Sequence, residues 1–151
     1  MCMFKIIFFV FFILFFNSKA FSTETEYFLM LKNKKVNVRF GPNMNSPIKY
    51  VYKKINLPVK VIDKKENFRR IIDHKQNSGW IHISQLKKSK SLITTSKKIL
   101  FNKPTKYSKP LAKLDIGRLL LTKKCNRDWC IVKTGEFTGW VSKDNIWGKV
   151  N

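Results

Sequence analysis

Cysteine and histidine carry the nucleophilic and metal-binding chemistry available to this chain, and they are few: three Cys and two His. Cys125 and Cys130 are separated by Asn126-Arg127-Asp128-Trp129, a turn-rich sequence between two β-prone runs. Two chemistries suit a pair of thiols at that spacing. One is a disulfide across a hairpin, feasible if the two Cβ atoms face each other and favoured in an exported chain whose leader takes Cys2 away and leaves an even cysteine count. The other is a metal site, which is weakened because four residues separate the thiols and no His lies near them in sequence. A cysteine-dependent hydrolase needs a thiol, a base and a third polar group. His74 and His82 lie in the first of two β-rich stretches and the cysteine pair in the second. No nucleophile with its base can be read from the sequence. We therefore assign no catalytic residue, no metal and no cofactor, and read the chain as a binding protein.

The N-terminus reads as a leader. Met1 to Lys5 is short and carries Lys5, Ile6 to Phe16 is an unbroken apolar run, and Asn17-Ser18-Lys19-Ala20 follows. Small residues at Ser18 and Ala20 fit the −3 and −1 positions of a leader-peptidase site, which predicts a signal peptide over 1–20 cleaved after Ala20. The other reading is an uncleaved anchor, although the run is shorter than the ~20 residues a spanning helix needs. Cys2 precedes the apolar run, too early for a lipoprotein cysteine. The expected location is periplasmic or secreted, with no stable transmembrane span after cleavage.

Charge is extreme, with 31 Lys and Arg against nine Asp and Glu and a formal net charge of +22. Such a balance suggests a polyanionic partner. Nucleic acid is disfavoured, because the excess is almost all Lys whereas guanidinium is the preferred fork for phosphate and base edges. The lysines are also scattered, and a leader directs the protein away from nucleic acid. A Lys-, Asn- and Ile-rich composition also arises from A/T-biased coding. Whatever its origin, the charge attracts polyanions at low salt, and less so at physiological salt.

The elements that would position any site repeat. Gly79-Trp80-Ile81 closes one β-rich stretch that begins near Val36, and Gly139-Trp140-Val141 closes a second that begins near Ile99. Short alternating runs punctuated by Gly, Pro and Asn predict strands at Tyr27–Leu31, Val36–Arg39, Ile48–Tyr52, Leu57–Ile62, Phe68–Ile72 and Trp80–Ile83. The second copy supplies Ile99–Phe101, Leu111–Leu114, Arg118–Thr122 and Trp129–Lys133 in the same order. Ser84-Gln85-Leu86 predicts a short helical turn. Composition places a linker at 88–98, with Leu92 to Lys98 readable as an added strand or as part of that connection. The expected fold class is all-β: two tandem small barrels over 27–87 and 99–151.

Val36-Asn37-Val38-Arg39-Phe40-Gly41-Pro42 resembles the opening motif of bacterial SH3-like domains, commonly Asn-Val-Arg-x-Gly-Pro, and the closing Gly-Trp-Ile/Val of both copies is similar to the family's ending. Cys125, Asp128-Trp129-Cys130-Ile131-Val132, Gly139-Trp140-Val141 and Ile146-Trp147-Gly148 resemble the branch of exported proteins with two tandem SH3-like domains. The second copy departs from the opening motif, having Leu100-Phe101-Asn102-Lys103-Pro104, so the two copies are not expected to bind the same thing. The resemblance implies SH3-like barrels that attach to peptidoglycan or another anionic envelope component, or that act as adaptors on another envelope protein.

Aromatic residues beside the opening loops line the peptide groove of SH3-like barrels. Here that implies a ligand groove drawn from Arg39, Phe40, Tyr50, Tyr52, Tyr107 and Trp129, each of which also has a plain core, surface or loop-holding reading. Arg39 could pair with a nearby acid and hold its loop. Trp80 and Trp140 are expected to pack in the barrel core or between the barrels, with a stacking surface as the alternative, and Trp147 is assigned a structural role. Gly79 and Gly139 are attributed to backbone demands at turns.

Overall fold

Val36 and Val38 are fully buried while Asn37 and Arg39 face outward in the computed structural model, which describes residues 26–150. This is the period-2 pattern of a half-buried strand, β2 (Val36–Arg39). Around it stand β1 (Tyr27–Leu31), β3 (Ile48–Tyr52), β4 (Pro58–Lys65), β5 (Phe68–Ile72), β6 (Ser78–His82) and β7 (Leu86–Lys88), with a 3-10 turn at Ile83–Gln85. They form an antiparallel sheet in the order β3-β2-β6-β5-β4-β1-β7. The second sheet contains β8 (Ser91–Thr94), β9 (Lys98–Phe101), β10 (Pro110–Leu114), β11 (Leu119–Cys125), β12 (Trp129–Thr134), β13 (Phe137–Ser142) and β14 (Ile146–Trp147). Its order, β10-β9-β13-β12-β11-β8-β14, repeats the first strand for strand. The chain is all-β, built from two tandem small barrels. The leader and its cleavage after Ala20 lie outside the described residues. Among the described residues no helix is long and apolar enough to cross a membrane.

Composition marks 88–98 as a connection, and of the two readings of Leu92 to Lys98 the structure supports the added strand, placing it at Ser91–Thr94 as the counterpart of β1. All four of its side chains are buried. The pleat sends alternate residues to opposite faces, and here each face meets a different barrel. Ile93 joins the first core and Leu92 the second. The Ser91 hydroxyl donates to the Asn56 carbonyl at 2.7 Å, and the Thr94 hydroxyl to the Asp115 carbonyl at 2.7 Å. A strand buried on both faces shows no alternation of polarity, which is why the sequence pattern hides it. Trp147 reinforces this junction. Its indole N–H donates to the Pro58 carbonyl at 3.3 Å, and its ring meets Phe28 edge-to-face at 5.4 Å.

Trp80 and Trp140 do not pack in a core or between the barrels. Their neighbours Ile81 and Val141 are the buried ones. The tryptophans, one residue earlier on the same strands, face the other side and are half-buried. Gly79 and Gly139 are likewise not turn residues: they lie inside β6 and β13. What demands glycine there is space. A Cβ on Gly79 would clash with Val38 Cγ1, and one on Gly139 would meet the Phe101 carbonyl oxygen at 2.7 Å.

Lys98 occupies in β9 the place of buried Val36 in β2. Its buried ammonium lies 3.1 Å from the Asp144 carboxylate. Cys125 and Cys130 are register partners on β11 and β12, 4.0 Å apart at Cα, and form a disulfide. For so short a loop the chain-entropy model gives about 2 kcal/mol. Reduction should therefore lower the thermal midpoint by roughly 5–10 °C while far-ultraviolet circular dichroism at 25 °C keeps its β signature. Loss of that signature on reduction would mean that the bridge creates the second barrel.

Candidate functional site

The opening loop of the first barrel is held by its own arginine. Arg39 ends β2, and its guanidinium donates to the Ser46 carbonyl at 2.7 Å. It holds the loop through that carbonyl, where the sequence suggested an acid. Ser46 N in turn donates to Asn43 Oδ1 at 2.7 Å. This tethering leaves Phe40 65% exposed. Lys49 lies over the Phe40 ring, its ammonium 5.7 Å from the centroid, and also donates to the Ser78 carbonyl at 2.9 Å. A cation at that distance is attracted by the ring's negative face.

Cross-strand register extends this loop onto the outer sheet face. Trp80 stands opposite Arg39 on β2 and opposite Arg70 on β5, so a half-buried indole lies between two guanidinium-bearing positions. The corresponding row of the second barrel reads Phe101, Trp140, Ile131. Phe101 also meets Trp129 edge-to-face at 5.9 Å. One sheet face, repeated, is thus cationic and aromatic in the first copy and apolar and aromatic in the second.

A family model described as Bacterial SH3 domain matches residues 32–88 and, separately, residues 96–148. The chain belongs to the bacterial SH3 domain family. No curated protein matches it. Among solved structures it is similar to NlpC2 from Trichomonas vaginalis, at 13% identity and a TM-score of 0.39, over 85% of this chain and 50% of that one. It is also similar to NlpC1 from the same organism, at 13% identity and a TM-score of 0.38, over 85% of this chain and 48% of that one. The chain thus spans about half the length of these structures.

Of the residues expected to line one groove, the two bacterial SH3 units bring together only some. Arg39 and Phe40 share the opening loop of the first unit. Tyr107 is fully exposed on the corresponding loop of the second, and Trp129 lies on that unit's apolar face. Tyr50 and Tyr52 turn the other way, packing against the first core. Their hydroxyls are 3.3 Å apart, and Tyr52 donates to Asp73 Oδ2 at 2.9 Å. Burial raises the Tyr52 hydroxyl pKa well above its ordinary value, with Tyr50 and Asp73 adding to the effect. Burial also works against the Asp73 carboxylate, but hydrogen bonds from Asn77, Tyr52 and Lys75 outweigh it and hold its pKa below the usual value.

Sequence reasoning passed over Lys49, Arg70, Phe101 and Ile131. The signal was present in the strand period: once Ile81 is inward, Trp80 must be outward, and its register partners follow. Both sulfur atoms of the described cysteines are in the disulfide, so neither is a thiolate available for attack or metal binding.

Proposed function

We propose that this chain is a non-catalytic binding module of the cell envelope. Its first barrel engages an anionic envelope component, with the carboxylate-bearing stems of peptidoglycan as the natural candidate. The observation that carries this reading is the Arg39–Trp80–Arg70 row beside exposed Phe40 and Lys49. Guanidinium groups pair with carboxylates in a planar fork, and an indole between them gives an apolar ring or chain a surface to lie on. The net charge of +22 supplies long-range attraction to the same partner.

Retention on purified sacculi tests this. The protein should be retained at low ionic strength and released steeply as salt rises. Arg70→Gln, a change at an exposed position, should weaken retention by about three- to fivefold without moving the thermal midpoint. No retention at low salt, or retention indifferent to salt and to Arg70, would count against it.

A second reading has its own observation. The Phe101–Trp140–Ile131 row with Trp129 presents an apolar face on the second barrel, the kind of surface an adaptor offers to another envelope protein. Binding through that face would persist at high salt, which separates it from the first reading.

A further inference from the structure

The β2–β3 and β9–β10 loops share one backbone and carry different side chains. In the first, Phe40 N donates to the Pro47 carbonyl at 3.1 Å and Ser46 N to the Asn43 carbonyl at 3.3 Å. In the second, Asn102 N donates to the Lys109 carbonyl at 3.1 Å and Ser108 N to the Thr105 carbonyl at 3.3 Å. Position for position, Phe40 matches Asn102, Met44 matches Lys106 and Ile48 matches Pro110. The second loop forms with polar residues at the first two of these places, so the backbone does not call for Phe40 and Met44.

These apolar side chains face water. Phe40 is 65% exposed, Met44 62% and Ile48 48%. No residue from Phe40 to Lys49 is buried, so the loop stands clear of the barrel. Its surroundings carry one sign of charge. Arg39 and Lys49 flank it, and between Glu26 and Asp63 the chain has eight Lys and Arg and no acid. Along the register row that leads away from the loop, Arg39–Trp80–Arg70–Asp63, the acid comes last. The Arg39 bond to the Ser46 carbonyl and the turn bonds already fix the loop, so seating it on a partner costs little ordering entropy.

An apolar tip flanked by cations fits a partner whose negative charge lies over an apolar layer. A soluble polyanion would satisfy Arg39 and Lys49 but offers Met44 and Ile48 nothing. We propose that the β2–β3 loop seats the protein on an anionic lipid bilayer. Phe40, Met44 and Ile48 enter the boundary between headgroups and acyl chains, while Arg39 and Lys49 stay at the level of the phosphates. The other lysines of the acid-free stretch add attraction along the surface. This goes beyond the wall reading and does not rest on it: that reading turns on Arg70, this one on Met44.

Cosedimentation with vesicles free of peptidoglycan tests the assignment. Residues 21–151 hold both barrels whole and leave out the apolar run Ile6–Phe16. Vesicles of phosphatidylglycerol and phosphatidylcholine in equal parts should bind this chain at physiological salt, and phosphatidylcholine alone about tenfold more weakly. Phe40→Ser with Met44→Ser should weaken binding to the mixed vesicles by about tenfold and leave elution from a heparin resin unchanged, since no charge is lost. Met44→Lys separates insertion from plain attraction. It gives the first loop the residue that Lys106 supplies in the second, so the turn still forms, and it adds a positive charge. Insertion predicts vesicle binding weaker by about threefold; attraction alone predicts tighter binding. Both positions are exposed, so an unchanged thermal midpoint is the expected folding control. No binding to the mixed vesicles, equal or tighter binding by Met44→Lys, or release from the vesicles by millimolar glycerol phosphate would overturn the proposal.

Discussion

Gly139→Ala is expected to destabilise the second barrel by about 2–3 kcal/mol, the upper part of the roughly 1–3 kcal/mol range for forcing extra carbon into a packed site, and to lower the thermal midpoint by on the order of 10 °C. The added Cβ would stand 2.7 Å from the Phe101 carbonyl oxygen, 2.8 Å from Leu100 Cγ and 2.9 Å from Leu111 Cδ1. A leucine tip can turn aside, but the carbonyl belongs to β9 and cannot move without moving the strand. The β9–β13 ladder closes the second sheet through the single register pair Phe101–Trp140, so the strain falls where pairing is thinnest. The environment of Trp140 should change with it, visible as a shift in tryptophan fluorescence. A variant that melts within about 1 °C of the parent would show that β9 yields at little cost, because surface changes of no consequence fall in that range.

The same pair of glycines shows what the sequence could and could not say. Gly-Trp followed by Ile or Val, recurring after a second β-rich stretch, was sufficient to give two tandem barrels and their class. Val36 and Val38 declared their inward face by alternation, and the cysteines declared a hairpin. Beyond that, the local pattern ran out. Nothing in Gly79 or Gly139 tells a turn from a strand interior, because the reason for glycine is the approach of another strand. Trp80 and Trp140 look like core residues by size, and only their buried neighbours Ile81 and Val141 place them outside. Ser91–Thr94 carries hydroxyls at both ends of an apolar pair, and its burial comes from two barrels meeting, which is a tertiary fact. The candidate groove dispersed for the same reason. Proximity to an opening loop in sequence does not set direction on the pleat, and Tyr50 and Tyr52 share the inward face with the core.

Asp73→Ala is the second large effect expected, about 2–4 kcal/mol, because hydrogen bonds to a charged acceptor each contribute about 1.5–3 kcal/mol and their donors are left unpaired when it goes. Four donors converge on this carboxylate: the Tyr52 hydroxyl, the Lys75 and Asn77 amides and the Asn77 side chain. Asp73→Asn keeps an acceptor oxygen and should recover part of the loss. The pH dependence follows from the same contacts. The folded-state pKa of Asp73 lies below its ordinary value of 3.8. Its contribution is therefore fully present above that value and is lost as the pH falls through the folded pKa. Urea midpoints of the parent and Asp73→Asn should be furthest apart at about pH 5 and converge as the pH falls from there through 3.8 and below. Parallel midpoints across that range would mean that the carboxylate charge contributes nothing to stability.

The strand Ser91–Thr94 also constrains how this chain can be cut. Its odd-numbered side chains serve one interior and its even-numbered side chains the other, so no single cleavage point yields two clean halves. A fragment ending at Lys88 would uncover Met30, which the Ser91 hydroxyl touches, and would withdraw Ile93 from its interior. A fragment beginning at Ile99 would strip the partner from Leu119–Leu121 and offer that bare edge to a second molecule for strand exchange and self-association. Whoever wishes to carry either unit elsewhere as a portable tag will need both.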